Sequence, residues 1–217
     1  MAMISPAPAV PGKNYSTLTD RKDRYGGIFE IPVISRVVRL LVDGGRVRGL
    51  AKGLKGYDYA SVLDVGCGIG ECSAVSRGRY VGIDNCLSHI EDAVRNYKKC
   101  HFLVGDAMRL PFRPKAFDLC LLIDTSHHLP DDVFKHVLVE LRGMSRKYIV
   151  VSDPIVTENQ GRISAFFYSL DRGACFRKAA PLREIFNAVP GIRLKDSFSY
   201  RTFPGLYVHH AWILEVL

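Results

Sequence analysis

Two stretches of this chain hold residues whose types and spacing can do chemistry. The first is VLDVGCGIG, residues 62–70, in which Gly66, Gly68 and Gly70 alternate with Cys67 and Ile69 behind Asp64. Glycines there let the backbone turn tightly and let a ligand reach the N–H groups at the start of a following helix without meeting a side chain. An anionic or zwitterionic ligand suits such a turn. The second is LCLLIDTSHHLPDD, residues 119–132, an apolar run that ends in Asp124, Thr125, Ser126 and the adjacent His127 and His128. A histidine titrates near neutrality and can remove a proton from a reacting group, but it can equally wall a pocket or hydrogen-bond to backbone at a loop. A metal is the poorest match. Neighbouring residues seldom reach one ion together, and no other His or Cys is spaced to complete the set.

The acids around the glycine-rich turn sharpen the reading. Asp84 ends RYVGID twenty residues after Asp64, where a carboxylate accepts hydrogen bonds from both hydroxyls of a ribose. Asp106 ends HFLVGD in the same register and is followed by Ala107 and Met108. Acids at the carboxyl ends of successive strands line the crevice in which open α/β sheets bind ligands. A dinucleotide fits badly, because Glu71 stands where the third glycine of G-x-G-x-x-G belongs and Asp64 would adjoin a pyrophosphate. Asp64 suits an ammonium instead. S-adenosylmethionine has an ammonium, a carboxylate for the turn, a ribose diol for Asp84 and an adenine amine for Asp106.

These groups need a scaffold, and the sequence describes one. From residue 61 onward, β-like runs alternate with helical patterns, as in a parallel sheet covered by helices. Strands are expected at 61–66, 79–84, 101–106, 117–124 and 147–154. A short helix is expected between the first two. SHIEDAVRNYKK, 88–99, carries Ile90, Ala93, Val94 and Tyr97 at helical spacing, with Ser88 and Glu91 placed as a capping box. DDVFKHVLVELRGM, 131–144, aligns Val133, Phe134, Val137, Leu138 and Leu141 on one face. The alternation breaks at 157–180, an aromatic segment containing Phe166, Phe167, Tyr168 and Phe176. A helix near 181–188 and two β-like runs, 192–200 and 206–217, close the chain. The short RTFPG between these runs implies an antiparallel pair. His209 and His210 lie in the last run, one toward each face, and are read as packing residues. Upstream, 30–43 reads as a helix and 15–27, with Tyr15 and Tyr25, as a lid.

The length of 217 residues suits one domain. Its expected parts are a flexible tail over 1–13, a lid with helices over 14–56, a cofactor-binding core over 61–153, and a substrate-side insertion with the C-terminal hairpin over 154–217. No apolar run approaches the roughly 20 residues that span a bilayer, and the proline-rich start reads as neither signal peptide nor anchor. The six cysteines show no C-x-x-C pair, which points to reduced thiols and a cytoplasmic protein. The net charge of +8 permits nucleic acid as a partner, but the basic residues are scattered rather than blocked.

The runs DVGCGIG, VGID, GDAMRLPF and FD followed by HHL resemble those of class I SAM-dependent methyltransferases, particularly the small-molecule subgroup, closely over 61–130. The resemblance implies a Rossmann-like, doubly wound α/β sheet of seven strands, mostly parallel with an antiparallel last strand, and S-adenosylmethionine as cofactor. Carried over by position, Gly66, Cys67, Gly68 and Gly70 cradle the methionine part, Asp64 lies near its amino group, Asp84 holds the ribose, Asp106, followed by Ala107, holds the adenine, and Asn85 borders the adenine face. Asp124, His127 and His128 then face the transferable methyl group. Tyr15, Tyr25, Phe167, Tyr168 and Arg172 are the candidates for an apolar or aromatic small acceptor. RNA is the alternative acceptor, although no N-P-P-Y/F-type run follows the fourth strand, and a non-catalytic binding protein is the third reading.

Overall fold

A computed structural model describes residues 45–155, 175, 177–202 and 208–217, all within a compact unit spanning 40–217. The expected tail, the lid with Tyr15 and Tyr25, the helix over 30–43, the aromatic residues 166–168 and 176, Arg172 and the turn at 203–205 lie outside the described residues.

Seven strands form one sheet: β1 (Ser61–Val65), β2 (Arg79–Asp84), β3 (His101–Val104), β4 (Phe117–Ile123), β5 (Ser145–Pro154), β6 (Ile192–Arg201) and β7 (Val208–Val216). Their spatial order is β3-β2-β1-β4-β5-β7-β6. Strands β1 to β5 run parallel, whereas β7 enters between β5 and β6 and is antiparallel to both. The expected doubly wound, mostly parallel sheet is therefore the one observed. The central β1 and β4 are buried along their whole length, as their near-continuous apolar sequences require of strands covered on both faces.

Period-two alternation sends side chains into two cores. Cys120 and Leu122 of β4 join the layer made with helix α3 (Asp131–Met144) and helix α4 (Ala179–Asn187), where Phe134, Leu138, Phe186 and Trp212 are buried. Leu119, Leu121 and Ile123 join the opposite layer with helix α1 (Arg46–Gly53), through Leu50 and Leu54. At β1 the strand order reverses, with β2 on one side and β4 on the other. Asp64 pairs in register with Gly82 of β2 and Leu121 of β4, so the switch-point crevice opens at its carboxyl end.

Three local expectations change. The segment after the glycine turn is a five-residue 3₁₀ turn, Glu71–Val75, and too short to present a helix N-terminus. Helix α2 (Leu87–Asn96) starts one residue earlier than expected, so Cys86 takes the N-cap position and Ser88 faces the Cys86 thiol at 3.2 Å instead of capping. Val94 lies at 47% exposure because Ile90 and Ala93 alone form the buried stripe of α2.

The opposite end of the sheet is tied by Asp118. Its Oδ2 accepts from the amides of Ala60 and Ser61 and from the Ser61 hydroxyl, and its Oδ1 from Arg146 at 2.9 Å. Burial alone would raise this carboxyl, but the Ala60 amide, the Ser61 hydroxyl and Arg146 outweigh it and lower it to about 2. A depressed carboxylate stabilises the fold above its unfolded value near 3.8 and loses that contribution as pH falls toward 2. The contribution is at most about 2 kcal/mol, reduced by the solvent around the half-exposed Arg146. Urea unfolding between pH 5 and 2.5 should show this slope in the native chain and a shallower one in Asp118→Asn; identical slopes would remove Asp118 from the account.

Candidate active site

The glycine turn crosses the carboxyl end of β1. Gly66, Gly68 and Gly70 all have positive φ, which L side chains adopt only with strain. Their surroundings differ. A methyl group on Gly66 would stand 2.3 Å from the Thr125 hydroxyl, and one on Gly70 would stand 2.8 Å from the Phe102 ring, so packing explains both. A methyl group on Gly68 would meet nothing within 4 Å, so here alone in the turn the space beside the backbone is open. Cys67, between them, is buried; burial first, then the Asp64 and Asp84 charges, hold its thiol protonated and unreactive.

Asp84, at the end of β2, organises the turn. Its Oδ2 accepts from the Gly68 amide at 2.8 Å and its Oδ1 from the Cys86 amide at 2.9 Å, with His89 Nδ1 3.4 Å from the same oxygen. Burial opposes its charge, but His89 and the two amides hold the carboxyl below its usual range. Asp84 is thus an ionised acceptor beside the open space at Gly68. Asp64 is buried to 1% exposure and takes a hydrogen bond from the Tyr80 hydroxyl to Oδ2 at 2.5 Å. Its Oδ1 is buried and has no hydrogen-bond partner among the described residues. Burial, offset by Tyr80 and Arg46 and assisted by Asp84 and Asp124, pushes this carboxyl up to about 6. Asp64 therefore lies within electrostatic reach of both Asp84 and Asp124.

Beyond β4 lies a second polar cluster. Asp124 adopts positive φ, at 50°, a region aspartate tolerates better than most residues. Its carboxylate pairs with Arg46 of α1 and accepts from His209 Nε2 of β7 at 2.9 Å. Burial would raise Asp124, but His209 and Arg46 hold it far below the usual carboxylate range. Arg46 also pairs with Glu71 at 2.6 Å, linking the glycine turn to the end of β4. Alongside, Ser126–His128 form a 3₁₀ turn in which His127 Nδ1 donates to Asp153 Oδ1 at 2.6 Å and the Ser126 hydroxyl bonds to Asp153 Oδ2. His127 and Asp153 are both buried, whereas His128 is exposed with its ring 4.2 Å from that of His127.

Among the expected site residues, Asp64, Gly68, Asp84 and Asp124 converge, and His127 lies in the adjoining cluster. Asp106 is exposed two residues beyond β3, its Oδ1 accepting from the Met108 amide at 2.9 Å. Asn85 is exposed and Ala107 half-buried. Four participants were missed: Arg46, Tyr80, Asp153 and His209. Asp153 stands next to the last residue of β5, close to the carboxyl end as Asp84 is in β2, so the same signal could have found it. His209 does more than the packing expected of its strand position: it is buried against Asp124 and stacks on Tyr200. No spacing pattern marks Arg46 or Tyr80. Among the described residues no group of side chains is placed to hold a metal ion, and no helix is long and apolar enough to cross a membrane.

A doubly wound sheet with an antiparallel β7 between β5 and β6, and a glycine turn and acids at the switch point, define the class I methyltransferase fold. Residues 62–147 match the family model described as a methyltransferase domain. The chain is similar to a sterol 24-C-methyltransferase of Candida albicans, 35% identical over 79 residues that make up 32% of this chain and 21% of the relative. It is also similar to a probable tRNA methyltransferase 9B of Homo sapiens, 40% identical over 68 residues covering 31% of this chain and 14% of the relative. The chain thus spans a minor part of these curated relatives. Among solved structures, the magnesium protoporphyrin IX methyltransferase of Synechocystis PCC 6803, with bound SAH, shares the fold with a TM-score of 0.65 and 17% identity, over 87% of this chain and 96% of that one.

Proposed function

We propose that this protein is an S-adenosylmethionine-dependent methyltransferase acting on an O, N or C atom of a small apolar or aromatic acceptor. The observation that carries the reading is the buried Asp64 Oδ1, without a hydrogen-bond partner among the described residues, near the open Gly68, with ionised Asp84 one strand away. A ligand that brings an ammonium to Asp64 and a diol to Asp84 fits these groups. When bound, S-adenosylmethionine supplies an electrophilic methyl carbon on a sulfonium, open to in-line displacement. The residues of this chain then bind, orient and exclude water, which is sufficient for a large share of the acceleration.

His127 is the proton acceptor of the proposal. With Nδ1–H donated to Asp153, Nε2 is the basic nitrogen of the neutral ring, and the carboxylate stabilises the imidazolium formed when a proton arrives. The sterol and tRNA relatives favour different acceptors, and the net charge of +8 makes RNA the second reading. Free thiols at all six cysteines fit the cytoplasmic setting expected from their spacing. The test is release of SAH by the full chain incubated with S-adenosylmethionine and separate panels of hydroxyl, amine and carbon-acid acceptors and of RNA. Turnover with a small acceptor supports the reading and turnover with RNA alone replaces it. Absence of cofactor binding would sink both.

A further inference from the structure

Asp64 and Tyr80 are paired in a way the methyl-transfer chemistry does not itself require. Tyr80, the second residue of β2, is buried to 2% exposure, where an apolar residue would pack with less cost, and its hydroxyl is spent on Asp64 Oδ2. That bond fixes the carboxylate and leaves Oδ1 as its one unpartnered oxygen among the described residues. We propose that Tyr80 holds Asp64 as a proton-gated receptor for the ammonium of the bound cofactor, so that cofactor affinity falls when Asp64 takes up a proton. The proposal rests on the cofactor reading above and adds to it the positioning residue and the pH dependence.

The charge balance at this spot explains why the gate works near neutrality. Facing Asp64 are Arg46 from α1, Cys67 and Cys72 from the glycine turn and its 3₁₀ turn, Tyr80 and Asp84 from β2, and Asp124 beyond β4. Arg46 is the one fixed cation among them, and it is already paired with Asp124 and Glu71. Burial is the largest influence on Asp64 and, together with Asp84 and Asp124, disfavours its charge; the Tyr80 hydrogen bond and Arg46 favour it. An arriving ammonium supplies the missing counter-charge and sends any proton on Asp64 to solvent. The carboxyl of the free protein sits at about 6, raised from 3.8, so binding is undiminished above that pH and weakens below it. Removing the Tyr80 hydroxyl takes away a group that lowers the Asp64 value, which moves the fall in affinity to higher pH.

Equilibrium binding of SAH and of its deaminated analogue to the full chain from pH 5 to 8 tests this. SAH affinity should be level between pH 7 and 8 and fall by up to about tenfold per pH unit below the inflection. The deaminated analogue should bind more weakly at pH 8 and lack that inflection, which separates Asp64 from His89 beside Asp84, since the latter would act on both ligands. Tyr80→Phe should shift the SAH inflection upward, and Asp64→Asn should abolish it. SAH affinity that is flat with pH, an inflection shared by both ligands, or one unmoved in a folded Tyr80→Phe variant would each overturn the proposal while leaving the cofactor reading intact. Failure of SAH to bind at any pH would overturn both.

Discussion

Replacing Asp84 by alanine should weaken SAH binding by at least about 100-fold while the protein still unfolds cooperatively. Two effects combine. The carboxylate is the ionised group at the switch point, and hydrogen bonds from a diol to a charged acceptor contribute about 1.5–3 kcal/mol each. It also fixes the turn itself, because Gly68 and Cys86 both donate their amides to it. Removing it frees the glycines, whose many alternative conformations must then be lost on binding. Asparagine is an informative second variant: one side-chain oxygen can keep a single amide, but its NH₂ then faces the other N–H. Asp84→Asn should therefore bind SAH about tenfold or more below the native chain, and not as a near-neutral isostere. The fold should tolerate either change with a loss of several degrees in Tm, since Asp84 lies at the sheet rim. Calorimetry that finds native SAH affinity in Asp84→Ala would remove the residue from the cofactor site.

The parts of this site that were legible in the sequence are those that strand and turn chemistry dictate locally. RYVGID and DDVFKHVLVELRGM run to their observed ends because a buried parallel strand and an amphipathic helix each impose a period on their own residues. The glycine turn and Asp84 follow from the same logic, because a chain leaving a strand at a switch point has few ways to turn. The meaning of each glycine was not local. Gly66 and Gly70 accommodate Thr125 and Phe102, which are distant in sequence, and only Gly68 has open space beside it. Tyr80, Arg46 and His209 escaped for a related reason. Each reaches an aspartate on another element, and alternation or helical period states which way a side chain points without stating what it meets. The 3₁₀ turn after Gly70 was also outside local reach, since ECSAV forms a helical pattern too short to distinguish the two helix types.

Substitution of His127 should act on turnover more than on binding. Nδ1 is bound to a buried carboxylate at 2.6 Å, an arrangement that sets both the tautomer and the ring direction and that a histidine used only for packing does not need. If the acceptor must lose a proton, His127→Ala should lower kcat by about 10²–10⁴-fold, with SAH affinity changed by less than about threefold. Asp153→Asn separates positioning from simple packing. Its volume is nearly unchanged, but the charge that stabilises the imidazolium is gone, so kcat should fall and the acid limb of its pH profile should move to lower pH, because a less stabilised imidazolium gives up its proton more readily. His128, exposed beside His127, should tolerate alanine with kcat within about threefold of native. Each variant carries a stability cost, because His127→Ala leaves Asp153 with only the Ser126 hydroxyl among its described partners and should cost about 1–3 kcal/mol. Measurements below 25 °C, with the folded fraction checked by circular dichroism, keep the kinetic effect separate from that cost. An unchanged kcat in folded His127→Ala would assign proton removal to solvent or to the acceptor itself, and reduce the His127–Asp153 pair to a brace for the turn after β4.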